Sequence, residues 1–167
     1  MKAILISINP QWCDLILSGK KTIEIRKTRP NLNLPFKVYI YMTKHKNISP
    51  ENYGGKIIGE FTCDDIYPIR VFENGSIQDY MCHSLERSCV PYDDIANYIG
   101  YDKIGYGWHI SDLIIYDQPK SLDELTGLRS TKFGYEPTKI KRPPQSYMYV
   151  EDLDEVARLG KEKEHGK

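Results

Sequence analysis

Short segments in which apolar and polar residues alternate recur along the chain, and they constrain its fold more than any other feature. They are rich in β-branched and aromatic residues, which predicts strands. These segments are KAILISI (2–8), TIEIRK (22–27), FKVYIYMT (36–43), KIIGEFTC (56–63), GYGWHISDLIIYD (105–117) and QSYMYV (145–150). Because only two or three short helices interrupt them, they do not follow the strict alternation of a doubly wound sheet. The pattern predicts an α+β chain with a curved, mixed, mostly antiparallel sheet that closes toward a β-barrel, with short helices at its ends.

Capping residues, prolines and glycines in and between these segments predict helices and turns. Asn9 and Pro10 begin a short helix, and Gly19 ends it because glycine adopts a left-handed conformation at little cost. Gly59, inside a strand, predicts a bulge or a close backbone approach. The remaining predictions are a hairpin at Asn74-Gly75, a helix over residues 93–99, a capping box from Ser121 to Glu124, an irregular basic segment over 127–144 and a closing helix or half-ordered arm over 151–159.

Length and composition predict a single domain over residues 1–159 and a polar, flexible tail over 160–167. The 23 basic and 23 acidic residues cancel, which excludes a general polycation but leaves room for a local basic face. The chain begins with a strand-like segment and contains no apolar run of membrane-spanning length, so we expect a cytoplasmic protein that does not bind membranes. Four cysteines are then expected to be reduced thiols. Cys63, Cys82, His83 and Cys89 lack paired zinc-ligand spacing, so no metal or other cofactor is predicted, although zinc stays an alternative.

The segment after the first predicted helix carries a compact group of charges, Gly19-x-Lys21-x-x-Glu24-x-Arg26. In a strand, Glu24 and Arg26 share one face and Ile23 and Ile25 the other. This spacing, directly after LILSG, resembles the G-x-K-x-x-E-x-R signature of the ASCH domain, a branch of the PUA-like superfamily. The order of elements over the first 63 residues is also similar, and GWHIS and PPQSYMYV resemble later strands of ASCH-like proteins from bacteria and their phages.

The resemblance implies a PUA-like fold and an RNA- or nucleotide-binding function in a cleft beside the helix-strand junction. Related proteins are amidohydrolases on acetylated cytidine, whose lysine matches Lys21. Glu24 stands where those enzymes have a threonine nucleophile, so that activity does not carry over. Another relative is a ribonuclease, from which no residues transfer. The alternative function is therefore a small hydrolase of a modified nucleoside or RNA, with Lys21 and Glu24 as catalytic groups.

The residues themselves leave two interpretations of the charged group. Lys20 and Lys21 suit a helix C-terminus, and Glu24 and Arg26 could form a structural ion pair. Alternatively, the glutamate accepts from the amino edge of a base while the cations meet phosphate. The second interpretation requires that these side chains face a solvent-filled cleft.

Aromatic and basic residues elsewhere complete the predicted interface. Trp108 could form a stacking wall with Tyr106, His109 and Trp12, although a tryptophan in the core and a hydrogen-bonded structural histidine are the alternatives. Loop cations could merge into a phosphate-facing strip, or be solvated charge. They are Arg26, Lys27, Arg29, Lys44, His45, Lys46, Arg129, Lys132, Lys139, Lys141 and Arg142. The predicted nucleic-acid-binding residues are Lys20, Lys21, Glu24, Arg26, Lys44, Trp108, His109, Arg142 and Tyr147.

Overall fold

A computed structural model describes residues 1–44, 53–79 and 84–154. The described strands are β1 (Lys2–Ile8), β2 (Ile23–Arg26), β3 (Phe36–Met42), β4 (Lys56–Cys63), β5 (Ile66–Val71), β6 (Ile77–Asp79), β7 (Lys103–His109), β8 (Ser111–Lys120), β9 (Thr126–Thr131), β10 (Gly134–Lys139) and β11 (Tyr147–Glu151). The helices are α1 (Pro10–Leu17), α2 (Ser84–Ser88) and α3 (Tyr92–Ile99), with a 3₁₀ turn at Leu122–Glu124. These elements confirm the mostly β composition with short helices.

The chain divides into two compact units. Unit 1 comprises residues 1–10, 36–60 and 114–167, and unit 2 comprises residues 11–35 and 61–113. The prediction that residues 1–159 form a single domain stays a prediction, and the predicted tail at 160–167 lies outside the described residues.

The sheet of unit 1 has seven strands in the order β10-β9-β11-β1-β3-β4-β8. It is mixed, because β1 runs parallel to β3 and antiparallel to β11. Its core consists of Ala3, Leu5, Tyr39, Tyr41, Ile57, Leu125, Ile140 and Val150. The sheet of unit 2 has four strands in the order β2-β7-β5-β6, and neither sheet closes into a barrel in the described part of the chain.

The core of unit 2 lies between one face of this four-stranded sheet and the helices α2 and α3. Isoleucines at alternate positions of β2, Ile23 and Ile25, share that face with Ile69 and Val71 of β5. They pack against Leu85, Ile95, Ala96 and Ile99 of the two helices. This burial leaves the alternate positions of β2, which carry the charges, on the opposite face.

Two sequence predictions about strands are wrong. Residues 105–117 were expected to form one strand, but the strand is interrupted at Ile110 between β7 and β8, and Asp112, the second residue of β8, has a left-handed φ of 47°. Residues 127–144 were expected to be irregular, but they contain the antiparallel hairpin β9–β10. By contrast, the hairpin at Asn74-Gly75 is confirmed by β5 and β6, and the capping box from Ser121 to Glu124 is present. The arm predicted over 151–159 lies largely outside the described residues.

Gly59 lies where two backbones approach closely. A Cβ at this position would be 2.4 Å from the carbonyl oxygen of Ile114. We therefore expect Gly59→Ala to lower the free energy of unfolding by about 1–3 kcal/mol, because backbone must move to relieve the overlap. Gly54→Ala is the matched control, since its Cβ would have no neighbour closer than 3.6 Å. Urea unfolding of both variants measures the difference, and equal stabilities would contradict the expectation.

Candidate functional site

The charged motif begins at a helix end that fixes its position. Gly19 has a φ of +74°, and its N–H donates to the carbonyl of Ile16 at 2.9 Å. The N–H of Lys21 then donates to the carbonyl of Leu15, also at 2.9 Å. These bonds satisfy carbonyls at the end of α1 and direct the chain into β2. The predicted role of Gly19 in ending the helix is confirmed.

Lys21, Glu24 and Arg26 form one connected ion-pair cluster, hereafter the motif cluster. Glu24 receives both cations: its Oε2 lies 3.2 Å from Lys21 Nζ, and its Oε1 lies 3.0 Å from Arg26 Nη2. The interpretation of the motif as a nucleotide site requires that these side chains face a solvent-filled cleft. Instead, the three residues are only 2%, 6% and 6% exposed, respectively. The cluster, whose three residues belong to unit 2, is therefore buried.

The Lys21 ammonium group contacts three hydrogen-bond acceptors. Its Nζ donates to the carbonyls of Ile23 at 2.8 Å and Ser88 at 2.7 Å, in addition to the contact with Glu24. It also lies 5.4 Å from the ring centroid of Trp12. With three acceptors around three ammonium hydrogens, Lys21 holds other groups in place and offers no lone pair for the base role considered in the sequence analysis.

The negative charge of Glu24 acts on a neighbouring buried thiol. Burial raises the pKa of Cys13 to about 12, and the charges of Glu24 and Asp14 add to that effect. Cys13 is therefore a protonated, unreactive thiol at neutral pH, because the thiolate is the nucleophilic form. This excludes Cys13 as a nucleophile of the site.

Two aromatic residues of β7 lie opposite the motif strand. Trp108 pairs with Glu24 across the sheet, and Tyr106 pairs with Arg26. Trp108 is completely buried, whereas Tyr106 is half-buried. A fully buried indole offers no face to a base, so Trp108 packs in the core and does not form the predicted aromatic wall.

His109, at the end of β7, belongs to a hydrogen-bonded group on the surface of unit 2. Its Nδ1 lies 2.6 Å from Asp64 Oδ1, and its Nε2 lies 2.7 Å from Arg87 Nη2. Arg87 Nε also donates to Thr22 Oγ1 at 2.9 Å. Sequence reasoning selected His109 but missed Arg87 and Asp64 as site residues, because they lie 22 and 45 residues from it in the chain.

The pKa of Asp64 is lowered. Burial alone would raise it, but the hydrogen bond from His109 acts in the opposite direction, and the net effect is a lower pKa. The folded state therefore gains stability from ionised Asp64 above its ordinary pKa of 3.8, and loses it as the pH falls through the lowered value.

Comparison with known families decides the family of the chain. The model of the ASCH domain matches residues 6–144. The chain belongs to the ASCH domain family. The match extends well beyond the first 63 residues, on which the resemblance in sequence was strongest.

Solved structures are similar to this ASCH domain. The crystal structure of ASCH from Zymomonas mobilis is 20% identical, with coverage of 95% of this chain and 94% of that chain and a TM-score of 0.57. A tyrosine-to-phenylalanine variant of the Zymomonas mobilis protein has 20% identity, 96% and 98% coverage and a TM-score of 0.57. A serine-to-alanine variant has 20% identity, 95% and 94% coverage and a TM-score of 0.56. At this identity the similarity establishes the fold. Comparison with curated proteins gave no match.

The other predicted binding residues of the ASCH domain lie in both units. Lys20 is exposed in unit 2, and Lys44 and Arg142 are exposed in unit 1. Tyr147 of unit 1 is half-buried, with its ring centroid 6.4 Å from that of Tyr149. Arg129 pairs with a carboxylate of the neighbouring strand, and His45 and Lys46 lie outside the described residues. The merging of the loop cations into one phosphate-facing strip stays a prediction.

Unit 1 has a charged network that the sequence did not reveal. Lys37 Nζ lies 3.3 Å from Glu60 Oε1 and 3.4 Å from Asp152 Oδ1, and it also pairs with Asp154. Burial would lower the pKa of Lys37, but these carboxylates raise it overall. The network connects β3, β4 and the residues after β11, so its role is explained by packing within unit 1.

Metal and membrane binding were both predicted to be absent. Among residues 1–44, 53–79 and 84–154, no group of three or more histidine, cysteine or acidic side chains could hold a metal ion. Cys82 and His83 lie outside these ranges. Over the same ranges, the ASCH domain contains no helix with the length and apolar character needed to cross a membrane.

Proposed function

We propose that this ASCH domain binds RNA or a nucleotide, and that the motif cluster takes part in binding. The observation that carries the proposal is that the charged residues of the family motif form a single ion-pair cluster inside unit 2. A buried ion pair is weak evidence for stability, because well-packed apolar residues of similar volume are often as stable or more stable. Three ionised groups in this position therefore call for an explanation beyond packing.

The exposed fractions of the three side chains suggest different roles for them in binding. The side chains of Glu24 and Arg26 are 9% and 8% exposed, whereas that of Lys21 is 1% exposed. Because only Glu24 and Arg26 keep any appreciable exposed surface, they would be the members that reach the ligand, the carboxylate accepting from an amino edge and the guanidinium donating to phosphate. Lys21 would position Glu24 without touching the ligand.

The proposal also includes the finer architecture implied by the family. We place the chain in the PUA-like superfamily, as one domain over residues 1–159. Lys20, Lys44, Arg142 and Tyr147, which keep exposed or half-buried side chains, would add contacts to phosphate or base. This part of the proposal rests on family membership and exposure.

We expect Arg26→Ala to weaken RNA binding by about 1–3 kcal/mol, roughly 5- to 150-fold. The measurement is fluorescence anisotropy with a labelled single-stranded RNA between about 50 and 200 mM salt, where the affinity of the unmodified protein should fall as counterions are released. Circular dichroism at each salt concentration checks that the variant is folded.

Arg70→Ala is the matched control, because Arg70 is a half-buried arginine of unit 2 outside the motif. A specific role for the motif predicts a small effect at Arg70 and a large one at Arg26. Equal losses in the two variants, or unchanged affinity in Arg26→Ala, would contradict the proposal.

A further inference from the structure

The surface group around His109 has the chemistry of an oxyanion site. We call Thr22, Asp64, Arg87 and His109 the His109 cluster. All four belong to unit 2. Arg87 is exposed, the side chain of His109 is 22% exposed and that of Asp64 is 47% exposed. A solute can therefore reach these polar groups directly.

The hydrogen bonds fix the proton on one nitrogen of His109. A guanidinium can only donate, so His109 Nε2 must accept from Arg87 at 2.7 Å. The proton of a neutral ring then lies on Nδ1, which donates to Asp64 Oδ1 at 2.6 Å. His109 is thus a neutral imidazole oriented by a carboxylate, with the Nε2 lone pair directed at an arginine.

The backbone under the cluster is firmly held, although the side chain of Arg87 reaches solvent. The carbonyl of Arg87 accepts from Thr22 N–H at 2.9 Å. The adjacent carbonyl, that of Ser88, accepts from Lys21 Nζ. On the other side, His109 N–H donates to the carbonyl of Asp65 at 3.0 Å. The carbonyls of Arg87 and Ser88, which are consecutive in α2, therefore hold Arg87 next to Lys21 and Thr22.

We propose that Thr22, Arg87 and His109 bind the phosphate group of a phosphate ester, with Asp64 positioning His109. A planar guanidinium donates two parallel hydrogen bonds to phosphate oxygens, and the Thr22 hydroxyl supplies another donor. An arriving phosphate takes Arg87 away from Nε2. His109 Nε2 then takes a proton from solvent and becomes a donor to the same phosphate, while Asp64 stabilises the imidazolium.

The charges of the cluster favour this coupling. With neutral His109, the charges of Asp64 and Arg87 sum to zero, and protonation of His109 makes the sum +1. Imidazolium and guanidinium repel each other when they are in direct contact, and an anion between them removes that cost. Phosphate binding and proton uptake by His109 should therefore strengthen each other.

The other titratable groups facing His109 do not compete for this proton near neutral pH. Burial and the charge of Asp64 raise the pKa of Cys63 to about 12, and burial followed by the charge of Asp65 raises the pKa of Tyr67. Both side chains are therefore uncharged. The charged side chains in contact with the His109 ring are Asp64 and Arg87, and Asp65 contacts His109 through its backbone carbonyl.

Nuclear magnetic resonance of the ¹⁵N-labelled histidine rings tests the proposal with inorganic phosphate as the probe. Without phosphate, His109 should show the neutral ring protonated at Nδ1. Added phosphate should convert it saturably to imidazolium at constant pH, whereas chloride at equal ionic strength should not. The absence of a saturable change, or an equal change with chloride, would overturn the proposal.

Four variants, one of them a control outside the cluster, assign the effect to the cluster, with backbone amide spectra checking the fold. Arg87→Gln should abolish the saturable change, and Arg87→Lys should restore it in part, because lysine keeps the charge without the planar fork. Arg70→Gln removes another arginine of unit 2 and should leave it intact. Thr22→Val, which removes only the hydroxyl, should weaken binding several-fold. Unchanged affinity in both Arg87→Gln and Thr22→Val would count decisively against the proposal.

Competition distinguishes the sources of the phosphate. Displacement of inorganic phosphate by a nucleoside 5′-monophosphate would identify a free monoester as the ligand class, and displacement by a 3′,5′-linked dinucleotide would identify an RNA-type diester. This inference goes beyond RNA binding through the motif, since inorganic phosphate suffices to test it. Loss of RNA binding in Arg26→Ala with intact phosphate binding would separate the two sites.

Discussion

Glu24→Gln is expected to lower the free energy of unfolding by about 3–5 kcal/mol, because it removes the carboxylate that pairs with two buried cations. Glu24 is the sole link between Lys21 and Arg26 among the ion pairs of the motif cluster, with contacts of 3.2 and 3.0 Å. Glutamine keeps the shape and one acceptor but removes the charge. The loss of stability should therefore come from electrostatics, with little contribution from lost packing.

Equilibrium unfolding in urea measures this loss, with Glu73→Gln as the control. Glu73 is an exposed glutamate of the same unit, and substitutions at such positions usually change stability by less than about 0.5 kcal/mol. A loss in Glu24→Gln no larger than in the control would show that the buried charges do not depend on each other.

Replacement of the whole cluster separates stability from function. The triple variant Lys21→Met, Glu24→Leu, Arg26→Met removes the three charges of the cluster together, so we expect stability close to that of the unmodified protein or up to about 4 kcal/mol higher. RNA affinity should nevertheless be lost. A stable triple variant with intact RNA binding would assign the cluster to packing alone.

The motif could be placed from the sequence, but its burial could not. Alternation in TIEIRK correctly put Ile23 and Ile25 on the apolar face of β2. The burial of Lys21 involves a residue far along the chain, because the carbonyl of Ser88, 67 residues away, accepts from Lys21 Nζ. A local pattern contains no information about a partner at that distance. Charges that would be solvated on an isolated strand are consequently buried in unit 2.

The missed hairpin β9–β10 shows a second limit of periodicity. The burial pattern of β10 is almost entirely exposed, and the strand contains Pro137, which has no N–H to donate to a neighbouring strand. Proline and polar residues are typical of edge strands, and β10 is the edge of the seven-stranded sheet. A strand with little apolar surface to bury leaves no alternation to detect.

Trp108→Ala is the second substitution with a large expected effect, a loss of about 3–5 kcal/mol in the free energy of unfolding. Trp108 is 0% exposed and is among the largest fully buried side chains in the described part of the chain. It lies on the central strand β7, opposite Glu24 of β2 and Ile66 of β5. Truncation would open a cavity beside the motif cluster that rigid neighbouring strands cannot fill.

Thermal and urea unfolding of Trp108→Ala and Trp108→Phe distinguish packing from base stacking. A packing role predicts a graded loss of stability, smaller for phenylalanine because less volume is removed, with RNA affinity of folded Trp108→Phe unchanged. Direct stacking instead predicts little loss of stability and a reduction of affinity worth about 1–3 kcal/mol per base on removal of the aromatic ring. Since a fully buried ring has no face for a base, only the first pattern agrees with the structure. The second would mean that unit 2 opens when it binds RNA.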